Sequence, residues 1–461
     1  MSEKKALVVG AGLVGTTWAI LLAKRGYQVD VYERRGDIRK AEIIGGRSIN
    51  LAMSNRGWKA VERVGIKEQI SPQAIPMKGR MMHGVDNSQT FQAYGKEGQA
   101  IYSVSRGGLN LELIRKADKY EQVHFHFDEK CKSYHPRSGE IAFQHNHTGV
   151  ISKLQPQLIF GADGAFSAIR YGLQKTPRFN YSQHYLDYGY KELHIPPTAD
   201  GDFAMDPNSL HIWPRGRFML IALPNADRSF TCTLFLAYEG QPSFDQLQTN
   251  EQVQAFFETY FPDTLPVMPA LLEDFKQNPT ASLVTVRCKP WVYNNQVLLM
   301  GDASHAIVPF YGQGMNSGLE DCTLLDDLVE EHGEDWPTIL QTFNQHRIDD
   351  ADAIADLALR NFIEMRDLVG DPRFLLRKKI EAHLHQKYPG DFLPVYSMVT
   401  FSHIPYDEAL QESYAQDQLM ERILDIENIE SNWQENDEVD RLFKTWLEKK
   451  MGEKARAALS D

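Results

Sequence analysis

Apolar and polar positions near the start of the chain follow the pattern of a βαβ unit. ALVV (6–9) is a short apolar run typical of a buried strand, residues 14–25 carry apolar side chains at helical spacing, and YQVDVYE (27–33) reads as a second strand. Gly26 suits the end of the helix, because glycine adopts the left-handed conformation that ends many helices. The pattern therefore predicts a strand, a helix and a second strand in direct succession.

The rest of the chain changes its pattern twice. An amphipathic helix near 109–120 continues the first pattern, together with strands at 122–127, 140–145, 157–163 and 296–302. Between 179 and 290, HIWPRG, FMLIALP and SFTCTLFLAY read as half-buried antiparallel strands, and 78–95 alternates in the same way and is expected in the same sheet. From about residue 316 the pattern is almost wholly helical.

This order of patterns predicts an α/β protein with interleaved domains. We expect a Rossmann-like nucleotide-binding domain, an antiparallel β-sheet domain inserted into it, and a helical C-terminal region. The nucleotide-binding domain would comprise 1–73, 100–178 and 291–330. The sheet domain would comprise 74–99 and 179–290, and the helical region 331–461.

The net charge of −13 narrows the range of partners. Nucleic-acid phosphates are bound by basic surfaces, so neither nucleic acid nor anionic membrane is an expected partner. Four widely spaced cysteines form no CxxC pair, which favours reduced thiols and disfavours a zinc site. The chain shows no signal-peptide pattern and no apolar run long enough to span a bilayer. We therefore expect a soluble cytoplasmic protein.

GAGLVG (10–15) lies between the first predicted strand and helix. Gly10 permits a tight turn, Gly12 lets a pyrophosphate approach the backbone, and Gly15 allows the helix to pack closely on the strand. The N-terminus of the helix would face the phosphates with its positive end. Glu33 ends the next strand and is expected to hydrogen-bond ribose hydroxyls. These residues predict a dinucleotide site; a purely structural glycine turn is the alternative.

Two later segments favour FAD over NAD. GADGAFSAIR (161–170) supplies Asp163 and Arg170 after one predicted strand, and GDASH (301–305) supplies Asp302 after another. Three loops at strand ends suit a long, extended ligand such as FAD. Either aspartate alone is more often a turn residue or a helix cap.

VPFYGQGMN (308–316) precedes a helix expected to begin near Met315. Gly312 and Gly314 flank Gln313, a spacing that favours neither helix nor strand but lets bare backbone approach a flat or anionic group. A helix-entry loop with packed aromatic side chains is the alternative.

Three features together resemble the single-component flavin aromatic hydroxylases. They are GxGxxG with its distal Glu33, GADGAFSAIR (161–170, the DG segment) and GDASH (301–305, the GD segment). Further segments narrow the resemblance, up to about residue 410, to the kynurenine 3-monooxygenases within that family. They are GGRSINLAMSNRG (45–57), KGRMMHG (78–84), SVSRGGLN (103–110), PNSLHIWPRG (207–216), FTCTLFL (230–236), VPFYGQGMN, NFIEMR (361–366) and YSMVTFS (396–402). A charged helical tail replaces the membrane anchor of eukaryotic members, as in soluble bacterial ones.

The resemblance implies hydroxylation of L-kynurenine to 3-hydroxy-L-kynurenine in tryptophan degradation, toward quinolinate and NAD. FAD would be the bound cofactor, with NADPH and O2 as co-substrates and a flavin C4a-hydroperoxide as the oxygen donor. No second GxGxxG occurs, so NADPH would dock transiently on the FAD-binding domain. The oligomeric state, including a homodimer, is left open.

By the same resemblance, the loop at 308–316 would lie beside the isoalloxazine ring. Gly312 and Gly314 would keep side chains away from the ring, and the following helix would point its positive N-terminus at the electron-rich edge. The implied FAD contacts are Gly10, Gly12, Val14, Gly15, Tyr32, Glu33, Arg34, Arg35, Ala52, Arg106, Asp163, Asp302, Gly314, Met315 and Asn316.

Arg80 would bind the substrate carboxylate, because arginine offers two parallel donors to a carboxylate. Without the resemblance it reads as a solvated strand arginine. Tyr94, Asn361 and Tyr396 would complete the polar contacts, and the aromatic ring would lie among Phe235, Pro309, Phe310, Gln313 and Met365. No general acid or base is expected, since the chemistry depends on positioning and water exclusion.

The sequence leaves other functions open. HFHF (124–127) places two histidines on one face of a strand without a third ligand, so no metal is expected. The nearest alternative is a related flavin hydroxylase with another aromatic substrate. A more distant one is a flavin-binding protein that does not hydroxylate, and the lack of a WxWxIP segment disfavours a flavin halogenase.

Overall fold

The computed structural model describes residues 4–40, 50–368 and 371–457, so part of the segment at 45–57 lies outside the described residues. A six-stranded sheet forms the nucleotide-binding side of the fold. Its strands, in spatial order, are Val292–Tyr293, Val297–Leu299, Ile159–Gly161, Lys5–Val9, Gln28–Tyr32 and Val123–His126. All neighbours pair in parallel except the first two.

The predicted βαβ unit is confirmed. Strand Lys5–Val9 leads into helix Leu13–Lys24 and back to the parallel strand Gln28–Tyr32. Helix Leu13–Lys24 buries Gly15 through Ala23 because helices and sheet enclose it on all sides. Gly26 follows the helix at φ +82°, a conformation that glycine adopts without strain.

A seven-stranded sheet forms the other side of the molecule. Its spatial order is Ala281–Lys289, Asn180–Ile195, Phe230–Ala237, Met219–Pro224, Ser209–Pro214, Gly79–His83 and Gln89–Ala93. The predicted membership of the 78–95 segment is therefore confirmed. The expectation of a purely antiparallel sheet is wrong at one pairing, because Gly79–His83 runs parallel to Ser209–Pro214.

The expected half-burial of the sheet is also wrong for its central strands. Met219–Pro224 and Phe230–Ala237 are buried along almost their whole length. Phe256, Phe257 and neighbouring side chains cover one face of the sheet, while Phe310 and Phe362 pack near the other. Strands covered on both faces lose the alternation of buried and exposed positions.

Two three-stranded sheets complete the β-structure of the described residues. One contains Ile151–Leu154, Glu140–His145 and Glu129–His135; the other contains Asn50–Met53, Ile101–Ser105 and Ile75–Met77. Strand Ile75–Met77 thus pairs with Ile101–Ser105 rather than with the seven-stranded sheet. The proposed domain division stays a prediction, with its first boundary a few residues later in the sheets than at 74.

Helices account for most of the chain after residue 313. The longer helices are Leu13–Lys24, Asn55–Val64, Arg106–Ala117, Asn250–Tyr260, Gly314–His332, Trp336–Ile363, Pro372–Lys387, Tyr406–Leu424 and Asp437–Ala457. The shorter ones are Lys67–Ile70, Ala168–Leu173, Leu271–Gln277, Asp302–His305, Val395–Phe401 and Ile429–Asn432. Short 3₁₀ turns occupy Ile38–Lys40, Ser71–Gln73, Phe244–Gln246, Pro262–Val267 and Pro309–Tyr311, and a π-turn occupies Glu364–Leu368. Within the described ranges, no helix has the length and apolar character needed to cross a bilayer.

Candidate active site

A cavity of about 1030 Å³ is lined by the six-stranded sheet, the seven-stranded sheet and the C-terminal helices. It brings together residues from the whole length of the chain. Every residue predicted to bind cofactor or substrate contributes to its lining except Gly15, Gln313, Asn316 and Asn361.

The three glycines of the GAGLVG turn differ in what surrounds them. A Cβ at Gly10, where φ is +103°, would lie 2.4 Å from the Ala162 carbonyl oxygen, and one at Gly15 would lie 1.9 Å from the Gly10 carbonyl oxygen. Gly15 therefore serves packing and does not line the cavity. A Cβ at Gly12 would meet nothing within 4 Å. Gly12 thus leaves open space at the N-terminus of helix Leu13–Lys24, which has no side-chain cap.

Glu33 lies at the wall of the cavity beside this turn. Its carboxylate accepts hydrogen bonds from the Ala11 N–H and from the Arg35 N–H and Nε, each at 2.9 Å. Burial raises the pKa of Glu33, but the contacts with Arg35 and Ala11 outweigh burial and hold the pKa below its usual value. An ionised carboxylate here accepts hydroxyl hydrogen bonds and repels an added phosphate.

The DG and GD loops are joined by Arg170. Its guanidinium donates to the carbonyl oxygen of Ala303 at 2.7 Å and to that of Ala165 at 2.5 Å. Asp163 Oδ2 accepts from the Ala168 N–H at 2.7 Å, so the aspartate caps a short helix as the alternative interpretation held. Its Oδ1, however, is buried without a partner, and burial raises the pKa of this carboxyl group. Asp302 lies exposed at the cavity.

Other predicted cofactor residues line the same half of the cavity. Val14 contacts the GD loop, since a Cβ at Gly301 would lie 2.9 Å from its Cγ2. Tyr32 stacks on Phe143 with ring centres 3.9 Å apart. The further lining residues of this half are Arg34, Arg35, Ala52, Arg106, Gly314 and Met315.

The loop between Val308 and Asn316 approaches the small sheet closely. Gly312 has φ +67°, and a Cβ there would lie 3.2 Å from the Ala52 Cβ. Asn316 donates from Nδ2 to the carbonyl oxygens of Ala52 at 2.8 Å and Gly312 at 2.7 Å, and its Oδ1 accepts from the Ser54 N–H at 2.9 Å. The Asn316 side chain is thus fully used inside the protein and holds the loop in place, while the FAD contact expected of its backbone amide stays a prediction.

Gln313 and Asn361 were expected on the substrate side, but neither residue lines the cavity. The Gln313 side chain turns away from the cavity, and its Oε1 accepts a hydrogen bond from the Tyr406 hydroxyl at 3.0 Å. Asn361 donates to the Phe310 carbonyl oxygen at 2.6 Å. Both amides stabilise the loop from behind, because the buried loop carbonyls and amides require partners.

Arg80 lies in the far half of the cavity, close to two tyrosines. Its guanidinium carbon is 5.5 Å from the ring centre of Tyr94 and 5.3 Å from that of Tyr396. Within the described residues no carboxylate lies at salt-bridge distance from Arg80, and its Nε is buried without a partner. Burial alone lowers the pKa of Arg80, but the interactions with Tyr94, Tyr396 and the Glu364 carboxylate outweigh burial and raise it, so the group stays a cation.

Three near-parallel phenol rings stand beside this cation. Tyr94 stacks on Tyr396 at 5.0 Å between ring centres, and Tyr396 stacks on Tyr311 at 5.6 Å. Burial raises the pKa of all three hydroxyl groups, so they stay neutral donors. Tyr311 was missed in the sequence although it lies within the VPFYGQGMN segment.

The apolar wall of this half contains Phe235, Phe310 and Met365, as predicted. The rings of Phe235 and Phe310 are 4.9 Å apart, and Phe310 stacks on Phe362 at 4.1 Å. Met365 lies in the π-turn that ends the long helix Trp336–Ile363. Pro309 also lines the cavity. Leu210, Ile221, Thr233 and Tyr190 line it too, and sequence analysis missed them because they look like ordinary strand residues.

The arrangement fits FAD on three observations. A helix N-terminus free of side-chain caps meets open space at Gly12, the Glu33 carboxylate stands at the end of the second strand, and an unpartnered Asp163 oxygen faces inward from a third loop. A helix N-terminus, a carboxylate and an unpartnered oxygen on residues that line one cavity suit a pyrophosphate flanked by hydroxyl-bearing chains. The HFHF histidines form no metal site with neighbours in the described part of the chain; His126 instead pairs with Asp30 at 2.8 Å.

Comparison with protein families gives one family model over most of the chain. The model, described as an FAD binding domain, matches residues 3–358.

Curated relatives match at high identity over nearly their whole lengths. A kynurenine 3-monooxygenase of Flavobacterium psychrophilum is 49% identical over 95% of this chain and 97% of its own. One from Christiangramia forsetii is 46% identical over 96% and 98%, and one from Sus scrofa is 47% identical over 87% and 85%.

Solved structures of lower identity share the fold. The tetrameric form of 2-methyl-3-hydroxypyridine-5-carboxylic acid oxygenase superposes with a TM-score of 0.66 at 18% identity, covering 83% of this chain and 97% of that one. PqsL, a probable FAD-dependent monooxygenase from Pseudomonas aeruginosa, gives a TM-score of 0.64 at 16% identity, covering 79% and 97%.

Proposed function

The chain belongs to the kynurenine 3-monooxygenase family of FAD-dependent hydroxylases, and we propose that it converts L-kynurenine to 3-hydroxy-L-kynurenine. The reaction consumes O2, NADPH and a proton and releases water and NADP⁺. One oxygen atom enters the ring and the other leaves as water. The observation that carries the substrate assignment is Arg80, a buried cation at the cavity that has no carboxylate at salt-bridge distance among the described residues.

Arg80 has the chemistry to bind the carboxylate of an amino acid. A buried guanidinium with a free Nε favours an anion of matching planar geometry. Tyr94 and Tyr396 flank it with neutral hydroxyl groups, which add hydrogen bonds to the same end of the substrate. The opposite wall of Phe235, Phe310 and Met365 suits an aromatic ring.

We assign the cofactor to the other half of the cavity. Gly12, Glu33, Asp163 and Asp302 would hold the dinucleotide portion of FAD, and Gly312 and Gly314 would let the ring approach the loop backbone. When bound and reduced by NADPH, FAD supplies the electrons that activate O2. The protein residues orient the substrate ring and exclude water from the reaction, and we assign no general acid or base.

The proposal is tested by NADPH oxidation with purified, FAD-loaded protein. We expect strong stimulation by L-kynurenine and a product with the mass and retention time of 3-hydroxy-L-kynurenine. L-Tryptophan and anthranilate serve as matched aromatic controls, since the first keeps the amino acid end without the aniline and the second lacks the amino acid end. Stimulation by a control alone would redirect the assignment to another aromatic substrate.

A further inference from the structure

The side of the 309–314 loop that faces away from the cavity contacts the C-terminal region through one hydrogen bond between side chains. The Tyr406 hydroxyl donates to Gln313 Oε1 at 3.0 Å. Both residues are almost completely buried, at 0% and 1% exposure. Neither side chain lines the cavity, although the neighbours of Gln313 on both sides, Gly312 and Gly314, do.

Tyr406 is itself held in position by charged groups. Its ring lies 3.9 Å from the Arg56 guanidinium carbon, and its backbone N–H donates to Asp350. Helix Tyr406–Leu424 has no side-chain cap from its own N-cap residue, and Asp350 takes that role from another helix by also accepting from the Asp407 N–H at 3.2 Å. The position of the hydroxyl group is thus fixed from both ends of the residue.

These charged groups belong to a larger buried ion network. Arg347 binds Asp321 at 2.8 Å and Glu320 at 3.0 Å, and Asp321 also accepts from the Gly301 N–H at 2.9 Å. Arg56 pairs with Glu320 and donates to the carbonyl oxygen of Val399. The network therefore connects the GD loop, the Gly314–His332 helix and the segment that precedes Tyr406.

The same segment supplies a residue to the substrate half of the cavity. Tyr396 lies on helix Val395–Phe401 beside Arg80 and Tyr311, and Tyr406 starts the next helix. Residues 395–406 thus contact the 309–314 loop from two sides. Tyr396 stacks on Tyr311 at the cavity, and Tyr406 binds Gln313 behind it.

We propose that Tyr406 is a positioning residue, whose hydroxyl holds the Gln313 amide behind the 309–314 loop and so fixes the loop backbone that contacts cofactor and substrate. A buried amide oxygen that is left without a hydrogen-bond partner costs free energy, so the conformation that holds it in place becomes less favourable. Without the hydroxyl, the amide would turn and the loop would shift with it. The inference rests on the proposed function only for the identity of the substrate.

The test compares Tyr406→Phe with Tyr414→Phe in the FAD-loaded protein. The first variant keeps the ring on Arg56 and removes only the hydroxyl; the second removes a hydroxyl from an exposed residue of the same helix. We expect Tyr406→Phe to raise the dissociation constants of FAD and of L-kynurenine about tenfold, from the loss of one buried hydrogen bond, and to increase the fraction of NADPH oxidised without product. Tyr414→Phe should change none of these.

A double-mutant cycle separates positioning from packing. If Tyr406 acts through Gln313, Tyr406→Phe should have little further effect in a Gln313→Met background. The inference is overturned if Tyr406→Phe matches Tyr414→Phe, if it lowers only the unfolding temperature, or if its effect is unchanged by Gln313→Met. A wild-type protein that forms no 3-hydroxykynurenine would refute the proposed function instead, because FAD affinity still reports on Tyr406.

Discussion

Arg80 and Tyr396 lie in different regions of the chain, yet the Arg80 guanidinium carbon is 5.3 Å from the ring centre of Tyr396. One comes from the edge region of the seven-stranded sheet and the other from a short C-terminal helix. This cation lines the cavity, and among the described residues no carboxylate lies at salt-bridge distance from it. The carboxylate of the substrate is therefore the missing partner in our assignment.

Replacement of Arg80 should separate substrate binding from cofactor binding. Loss of one partner of a buried charge pair costs about 2–5 kcal/mol, so Arg80→Ala should weaken L-kynurenine binding by roughly two orders of magnitude. The L-kynurenine affinity of Arg80→Lys should lie between those of the wild type and of Arg80→Ala, because lysine keeps the charge without the planar pair of donors. Titrations followed by the flavin absorbance measure the affinities for L-kynurenine and for FAD. Arg373→Ala, which changes an exposed arginine, is the control. Unchanged binding in Arg80→Ala would remove our carboxylate assignment.

Alanine at Gly15 and alanine at Gly12 should impair the protein in two different ways. Gly15→Ala forces a Cβ to within 1.9 Å of the Gly10 carbonyl oxygen, so we expect a destabilised protein that loses FAD as a consequence. Gly12→Ala meets no protein atom within 4 Å, so we expect normal folding and selectively weaker FAD binding. Thermal unfolding of the cofactor-free proteins and FAD titration distinguish the two. Equal unfolding temperatures for both variants would contradict the packing role of Gly15.

Removal of a charge from the buried network should strongly destabilise the fold. Asp321→Asn leaves Arg347 and His305 without the carboxylate that lies 2.8 and 2.7 Å from them, and breaking a buried pair costs about 3–5 kcal/mol. Denaturant unfolding at fixed FAD concentration measures the change. Asp425→Asn, which removes an exposed pair with Arg373, should stay within about 1 kcal/mol of the wild type. A similar small effect for Asp321→Asn would show that the network contributes little.

A buried histidine in the seven-stranded sheet, His211, should make the stability of the folded protein sensitive to acid. Burial lowers the pKa of His211 from 6.5 to about 4. His211 contacts His83 at 2.9 Å and the Asp206 carbonyl oxygen at 2.8 Å, and Asp263 lies beyond His83. The unfolded chain binds the proton more readily than the folded protein does. The contribution of the neutral His211 to the free energy of unfolding is therefore fully present above pH 6.5 and is lost as the pH falls toward 4, by up to ~3 kcal/mol.

A variant that cannot titrate at this position checks the assignment. His211→Gln should flatten the decline of unfolding free energy between pH 6.5 and 4, whereas the exposed His147→Gln should leave the decline unchanged. The same slope in His211→Gln and in the wild type would assign the acid sensitivity to other groups.

Local sequence patterns correctly predicted those parts of the fold whose conformation is set by residues close to them in the chain. The βαβ unit, its three glycines and the glutamate at the end of the second strand follow from short-range sterics and hydrogen bonding, and the structure places them as expected. The antiparallel pairing and half-burial expected of the inserted sheet were only partly right. Pairing direction and burial depend on which distant segment covers a strand, and alternation alone does not contain that information.

Most of the cavity was predicted from family-like segments, but individual side-chain directions were not. Gln313 and Asn361 lie in segments expected to bind substrate, yet both amides serve the loop. Tyr311 lies between two predicted residues and was missed. A buried polar side chain needs a hydrogen-bond partner, and both amides find theirs in a distant segment, Gln313 at Tyr406 and Asn361 at the Phe310 carbonyl oxygen.

The sequence by itself determined the α/β class and the dinucleotide turn, because these follow from local periodicity and from glycine sterics, and it indicated the segments that meet at the cavity through their resemblance to a known family. Only the tertiary structure decided that Arg80 faces Tyr94 and Tyr396, that Asn316 secures the loop and that Tyr406 holds Gln313. These relationships join residues far apart in the chain. Packing and the need to pair buried polar groups set them once the sheets and helices had come together.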